Sequence, residues 1–422
     1  MLKFLKTTNA PIAIDFGYSE VKALQLVPGE KPTVGAAARI EIPEAARQDS
    51  IARWDFLNDR LPRALREARF RGKLAVCSIP AWQTFTQHMQ VGKGDASAIE
   101  AQLLDQLQNM IACDPDSVLI RHLEICDLFR AGEALTEVVC FAVNREVVMK
   151  QLDLLGRCKL DIGGLHAEPI AMARAFDHLY RREGDDRITT LYLDLGANGA
   201  KAVIAHGREI RFVKSIPVGG RHFDQRIGDS LKISVEEARA ARFERAKPPA
   251  ESNATPVSAT GVVAGAAAAA GSSAGVRTTE ASAPVMTADE RRVGQLPSDF
   301  RPLSADGGGD SIDADAANDA DTIHSAISGL VEQLVDETRM CLRYHESLFP
   351  DRPVDRVILM GGEARDAEMA REVAEAVGAP AFVADPLRPS LAEPPSLVGL
   401  DRVEGQPGWC VTRGLCGCPL DR

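Results

Sequence analysis

The chain has 422 residues, 45% of them hydrophobic and 26% charged, with a formal net charge of −11. At roughly 150 residues per domain this is two or three globular domains, and the acidic balance excludes a protein that wraps nucleic-acid phosphates, which needs a basic footprint. No apolar run reaches the roughly 18 residues of a membrane span, and the basic start, Met1 to Thr8, has no apolar core or small-residue cleavage site behind it, so it is not read as a secretory signal. Nine cysteines scattered through strand-like and helix-like segments fit reduced thiols in a cytoplasmic protein rather than a disulfide framework.

In chain order, Pro11 to Leu26 reads as two strands joined by a tight turn at Gly17. Helical spacing runs from Asp55 to Arg71 through Phe56, Leu57, Leu61, Leu65 and Ala68. Leu74 to Ile79 is a buried strand stopped by Pro80. An α+β unit follows: strand Thr84 to Val91, helix Asp95 to Ala112, strands Val118 to Leu128 and Glu137 to Val143, and helix Arg145 to Lys159. A helix from Glu168 to Arg182 leads back to the first unit. Ile188 to Gly196 and Ala200 to Ala205 then repeat the opening, an apolar strand ending in Asp-x-Gly, a turn, and a second apolar strand, with a third at Arg208 to Pro217. From about Lys247 to Ala320 the chain is Ala, Gly, Ser, Thr, Pro and Asp, too poor in large apolar side chains to offset the entropy of ordering; it reads as a disordered insertion with Phe300 as its one anchor. A helix from Ile323 to Leu348, a strand from Arg356 to Met360, the pair Gly361-Gly362 and a helix from Asp366 to Val377 close the pattern.

Three pieces carry chemistry when taken together: Asp15-x-Gly17, Asp194-x-Gly196, and Gly361-Gly362 between a strand and a helix. Glycine after a strand-end aspartate lets backbone N–H groups approach a phosphate closely, and two such hairpins face to face would clamp a polyphosphate. The carboxylates of Asp15 and Asp194 would hold Mg²⁺ through water, since hard cations keep oxygen ligands and much of their hydration. Gly361 and Gly362 would lie against the adenosine, and Lys22 would add positive charge to the phosphates. Singly, each piece is ordinary turn chemistry; the information is in the repeat and the order.

With those motifs the chain resembles the PilM family of type IV pilus assembly proteins, itself similar to the division protein FtsA. The resemblance rests on Pro11 to Lys22, Phe141 to Val148, Leu193 to Ala200, Ile216 to Phe223, Val235 to Arg239, Val354 to Arg365 and Val411 to Leu415, and it covers nearly the whole chain outside the insertion. It implies a two-domain actin-like α/β fold, with domain 1 at 1–83 and 159–184, an extra α+β subdomain at 84–158, domain 2 at 185–246 and 321–418, and the insertion at 247–320. It implies ATP with Mg²⁺ as ligand, Asp15, Gly17, Ser19 and Lys22 as the first phosphate loop, Asp194, Gly196 and Asn198 as the second, and Gly361 and Gly362 as the adenosine loop. Arg242 on the helix facing the nucleoside is a further candidate contact, and Glu168, near the connection between the halves, is a candidate for orienting an attacking water. The partner implied is the short cytoplasmic tail of PilN, a bitopic inner-membrane protein, held in a groove beside the extra subdomain, which places the chain in the cytoplasm, peripheral to the inner membrane.

The sequence departs from the family pattern at Tyr18 and Glu20 in the first loop, at Ala197 to Ala200, which lack hydroxyls, in the second, and at Arg239 where an acidic ribose partner is expected. These departures make binding without turnover the expectation. A peptide-binding adaptor without nucleotide, a slow ATPase and an FtsA-like division protein stand as alternatives. For the last, the ending Leu415 to Arg422 carries no basic amphipathic helix. His166 and His222 lack partners at metal-ligand spacing, and Cys410, Cys416 and Cys418 do not form a zinc pattern, so all five are read as ordinary polar or buried positions.

Overall fold

The computed structural model describes residues 9–30, 32–111, 114–245, 296, 300–303, 314–388, 397–398 and 405–420. The first half opens with β1 (Ile12–Phe16), β2 (Glu20–Val27) and β3 (Thr33–Glu41), followed by α1 (Glu44–Gln48), α2 (Ser50–Glu67) and β4 (Leu74–Ile79). Asp49 starts α2 by accepting from the N–H groups of Ile51 and Ala52, and the helix then buries Leu57, Leu61, Ala64 and Leu65 on one face. The small module comprises β5 (Thr84–Gly92), α3 (Ala96–Ile111), β6 (Val118–Arg130), β7 (Glu133–Asn144) and α4 (Arg145–Arg157); β8 (Asp161–Ala167) and α5 (Glu168–Arg174) return from it. The second half holds β9 (Thr189–Leu195), β10 (Ala200–His206), β11 (Glu209–Ile216), α6 (Gly220–Leu231), α7 (Val235–Arg245), β12 (Phe300–Pro302), α8 (Ala314–Leu348), β13 (Arg356–Met360), α9 (Ala367–Val377), β14 (Ala381–Ala384), β15 (Leu397–Val398) and α10 (Cys410–Leu415).

Two six-stranded sheets run in the orders β15-β3-β2-β1-β4-β8 and β11-β10-β9-β13-β14-β12. Within them β3-β2-β1-β4-β8 and β11-β10-β9-β13-β14 are the same arrangement: an antiparallel meander of three strands, then two strands parallel to the first. That duplication is the two-domain actin-like fold. β1 and β9 are buried along their whole length, as central strands covered on both faces must be. Leu191, Leu193 and Leu359 pack under α6, α8 and α9, Ile12, Ile14 and Ala75 under α2 and α4, and a third core around α5 and α10 joins the two sheets. The module's sheet, β5-β7-β6, has its own core with α3 through Ile99, Leu103 and Leu107.

Several elements differ from the sequence expectation. β3 is interrupted by an Ala36–Ala38 run and β8 by Gly163 and Gly164, which weakens the β-branched signature of a strand in both; pairing with β2 and β4 supplies what propensity does not. α5 stops at Arg174 and gives way to a 3₁₀ turn at Asp177–Leu179, well short of Arg182. Of the insertion expected at 247–320, Phe300 indeed anchors, forming β12 against β14, and α8 begins at Ala314 rather than Ile323; 247–295, 297–299 and 304–313 lie outside the described residues. Among the described residues no helix is long and apolar enough to cross a membrane, and the described cysteines are all free.

Candidate functional site

The β1–β2 and β9–β10 hairpins meet across a cavity of about 470 Å³ between the halves, closed at a third side by Gly361 and Gly362 after β13. Asp15, Gly17, Ser19, Lys22, Glu168, Asp194, Gly196, Asn198, Gly361 and Gly362 all line it. The hairpins are built alike. Asp15 stands directly across from Lys22, and Asp194 directly across from Lys201. A Cβ on Gly17 would come within 2.8 Å of the Glu20 carbonyl oxygen, and one on Gly196 within 2.8 Å of the Gly199 carbonyl oxygen, so each turn closes only around glycine. Gly361 has φ +92° and lies so close to the Asp194 carboxylate that a side chain there would displace it. Arg53 on α2 holds the first hairpin from behind: it donates to the carbonyls of Tyr18 (2.7 Å) and Gly17 (2.5 Å) and lies over the Trp82 ring.

Lys22, Lys201 and Arg239 at the site are each paired with carboxylates. Lys201 Nζ lies 2.5 Å from Asp194 Oδ2 and 2.7 Å from Glu168 Oε2. Burial opposes its charge, but those two carboxylates more than reverse the effect and hold the ammonium charged. Glu168 also accepts from the Ala81 N–H at 2.8 Å. Asp15 accepts from Ser78 Oγ at 2.8 Å, and Ser78 in turn accepts from the Phe16 N–H. Burial and, secondarily, the Glu168 charge push the Asp15 carboxyl up to about 7. Glu20 lines the wall and pairs with Lys22 at 2.6 Å and with Arg39. Burial opposes its ionisation, yet those two cations bring it down to about 2.

Arg242 is placed otherwise than the sequence suggested. It is fully buried and absent from the cavity wall, with its guanidinium on Asp224 (2.9 Å), Glu363 (2.5 Å) and Asp366 (3.2 Å). Its helix neighbour Arg239 reaches the cavity and pairs with Glu363 at 3.1 Å. Sequence reasoning also missed Lys201, Ser78, Trp82 and Arg221. Lys201 had a signal, since it follows Asp194 at the same seven-residue interval by which Lys22 follows Asp15; Ser78 had none. Tyr18 and Trp82 meet edge-on at 5.5 Å, and Arg221 of the second half lies over the Tyr18 ring, so an aromatic wall spans the cavity mouth. The start of α6 is not open to an anion there: its Gly220 and Arg221 N–H groups donate to the carbonyls of Gly196 and Ala197.

A second depression, of about 540 Å³, lies between β6, α5 and β11, lined by Leu123, Ile170, Ala173, Arg174, Ile210 and Arg211 among others.

A family model described as type IV pilus assembly protein PilM matches residues 13–254. Among solved structures, a chain of the PilM–PilN type IV pilus biogenesis complex superposes with a TM-score of 0.65 at 17% identity, over 96% of this chain and 97% of that one. The ethanolamine utilization protein EutJ from Carboxydothermus hydrogenoformans matches with a TM-score of 0.45 at 12% identity, over 99% and 92%. MreB5 of Spiroplasma citri, bound to ADP, matches with a TM-score of 0.43 at 10% identity, over 96% and 95%.

Proposed function

The chain belongs to the family of type IV pilus assembly protein PilM, and from that membership we propose that it is a nucleotide-binding scaffold which holds the cytoplasmic tail of a PilN-like inner-membrane protein. The observation that carries the nucleotide half is the pair of matched glycine hairpins facing one cavity, each closed so tightly that a Cβ would meet a carbonyl at 2.8 Å. Such turns suit the polyphosphate of ATP, with Gly17, Ser19, Gly196 and Asn198 along the phosphates and Gly361 and Gly362 beside the adenosine. Mg²⁺ fits less well: Asp194, expected to hold it through water, is in direct contact with an ammonium. With Lys22, Lys201 and Arg239 all engaged by carboxylates, the ligand's part is conformational, fixing the pose of two halves that both contact it, and Glu168 serves Lys201 and the Ala81 N–H rather than a water.

The PilN tail comes from the likeness to the PilM–PilN complex, and the depression beside the β5–β7–β6 module is its seat in this reading. Bound there, the chain is peripheral to the inner membrane through its partner. The test is a pair of titrations on the full chain, ATP by calorimetry and a labelled N-terminal PilN peptide by fluorescence anisotropy. Both are expected to bind. Gly196→Val should weaken ATP by about tenfold or more through loss of the turn, and Ile170→Asp should weaken the peptide alone. A folded chain that takes neither ligand would sink the proposal.

A further inference from the structure

Resting on the reading of the cavity as a polyphosphate site, we propose that Lys201 is a built-in cation that takes the place of a divalent metal at Asp194, so that the site accepts a nucleoside phosphate without Mg²⁺. The ammonium is at the phosphate turn itself, because a Cβ on Gly196 would lie 3.8 Å from Lys201 Nζ. It is fixed there by its place in the sheet, directly across from Asp194, and by contacts of 2.5 and 2.7 Å to carboxylates from the two different halves. A lysine ammonium has three donors; Asp194 and Glu168 account for two, and the side chain is 13% exposed, toward the cavity. Mg²⁺ demands near-octahedral oxygen coordination, and a group of its own charge sign already sits against Asp194 Oδ2. Lys22 cannot substitute in this role. It occupies the equivalent register position in the first hairpin, but its ion pair, at 2.6 Å, is with Glu20.

Two measurements on the full chain separate this proposal from the nucleotide reading. The first is Mn²⁺ binding followed by electron paramagnetic resonance without nucleotide. The exposed His324 and the half-buried Glu368 and Glu372 form another candidate Mn²⁺ seat, so the readout is the Mn²⁺ uptake that Asp194→Asn removes. Wild type is expected to show none. Lys201→Met is expected to gain one such ion per chain and lose it again when Asp194→Asn is added, while Lys201→Arg stays like wild type. Asp194-dependent uptake by wild type, or none by folded Lys201→Met, overturns the proposal; should Lys201→Met fail to fold, wild type against Asp194→Asn decides it. The second is binding of a fluorescent ATP analogue in EDTA and in Mg²⁺. Wild type should differ by less than about threefold, and Lys201→Met should need the metal. A wild-type loss of about tenfold or more in EDTA also overturns the proposal. No binding in either buffer, with the Mn²⁺ results as expected, brings down the nucleotide reading and leaves the exclusion of metal by Lys201 standing.

Discussion

Arg242 shows how far one side chain's environment can decide its role. Its guanidinium is fully buried and faces Asp224, Glu363 and Asp366, which are buried as well. Burial opposes the charge, but the three carboxylates reverse that and keep the guanidinium protonated. Removing it strands carboxylates in the core, which costs far more than the pair contributes net. Arg242→Met is therefore expected to lower stability by about 3–5 kcal/mol, read as a shift in the urea midpoint with an unchanged slope. Glu20 argues in the opposite direction. It neutralises the Lys22 ammonium inside the cavity, so Glu20→Gln leaves Lys22 its charge and removes a carboxylate from the wall. The expected result is tighter ATP binding, by several-fold, in the same calorimetric titration; weaker binding would mean that the Glu20 bridge is needed to shape the turn.

At the scale of elements, β10 and α8 are joined by an unusual contact: His206 Nε2 and His345 Nε2 lie 2.9 Å apart, with Phe349 packed against both rings. One ring donates and the other accepts, an arrangement two neutral imidazoles in complementary tautomers can make. Burial, helped by the Arg352 charge, lowers His206 to about 3 and His345 to about 4, from an ordinary 6.5. Below pH 6.5 the unfolded chain takes up protons that the folded chain refuses, so this contact's stability is present above 6.5 and is lost as the pH falls toward 4. Each histidine contributes a slope of up to about 1.4 kcal/mol per pH unit over that window. Thermal unfolding from pH 8 to pH 4 should therefore steepen below 6.5, and the double variant His206→Gln, His345→Gln should be flatter there. Equal slopes would remove the pair from the acid response. Neither histidine stood out in the sequence, where 139 positions separate them. The hairpins were legible because β1 and β9 are apolar along both faces and end in the same Asp-x-Gly. What stayed hidden depends on tertiary partners: alanine-rich β3 and glycine-bearing β8, made strands by their neighbours, and the choice between Arg239 and Arg242, one helical step apart, of which only the former faces the cavity.

For the whole molecule, the cavity and the depression beside the module are two ends of one short helix. α5 begins at Glu168, whose carboxylate holds Lys201, and within two turns presents Ile170, Ala173 and Arg174 to the depression. β11 makes a second connection, carrying Arg211 at the depression and Ser215 and Ile216 at the cavity. The module is in turn fastened to the second half, since Val213 N–H donates to His88 Nε2 at 3.3 Å and Tyr344 OH donates to the buried Glu137 at 2.6 Å. A polyphosphate that drew Lys201 toward itself would loosen Glu168 and with it the start of α5. Linkage then requires that a peptide in the depression and a nucleotide in the cavity change each other's affinity by the same factor. The expected coupling is about fivefold or more, measured as the PilN-peptide dissociation constant with and without saturating ATP. Glu168→Gln keeps an acceptor for the Ala81 N–H but gives up the charge that grips Lys201, so it should bring the coupling close to one while leaving both ligands able to bind. Equal peptide affinities with and without ATP in the wild type would show that α5 transmits nothing, and that the two sites share a fold without sharing a switch.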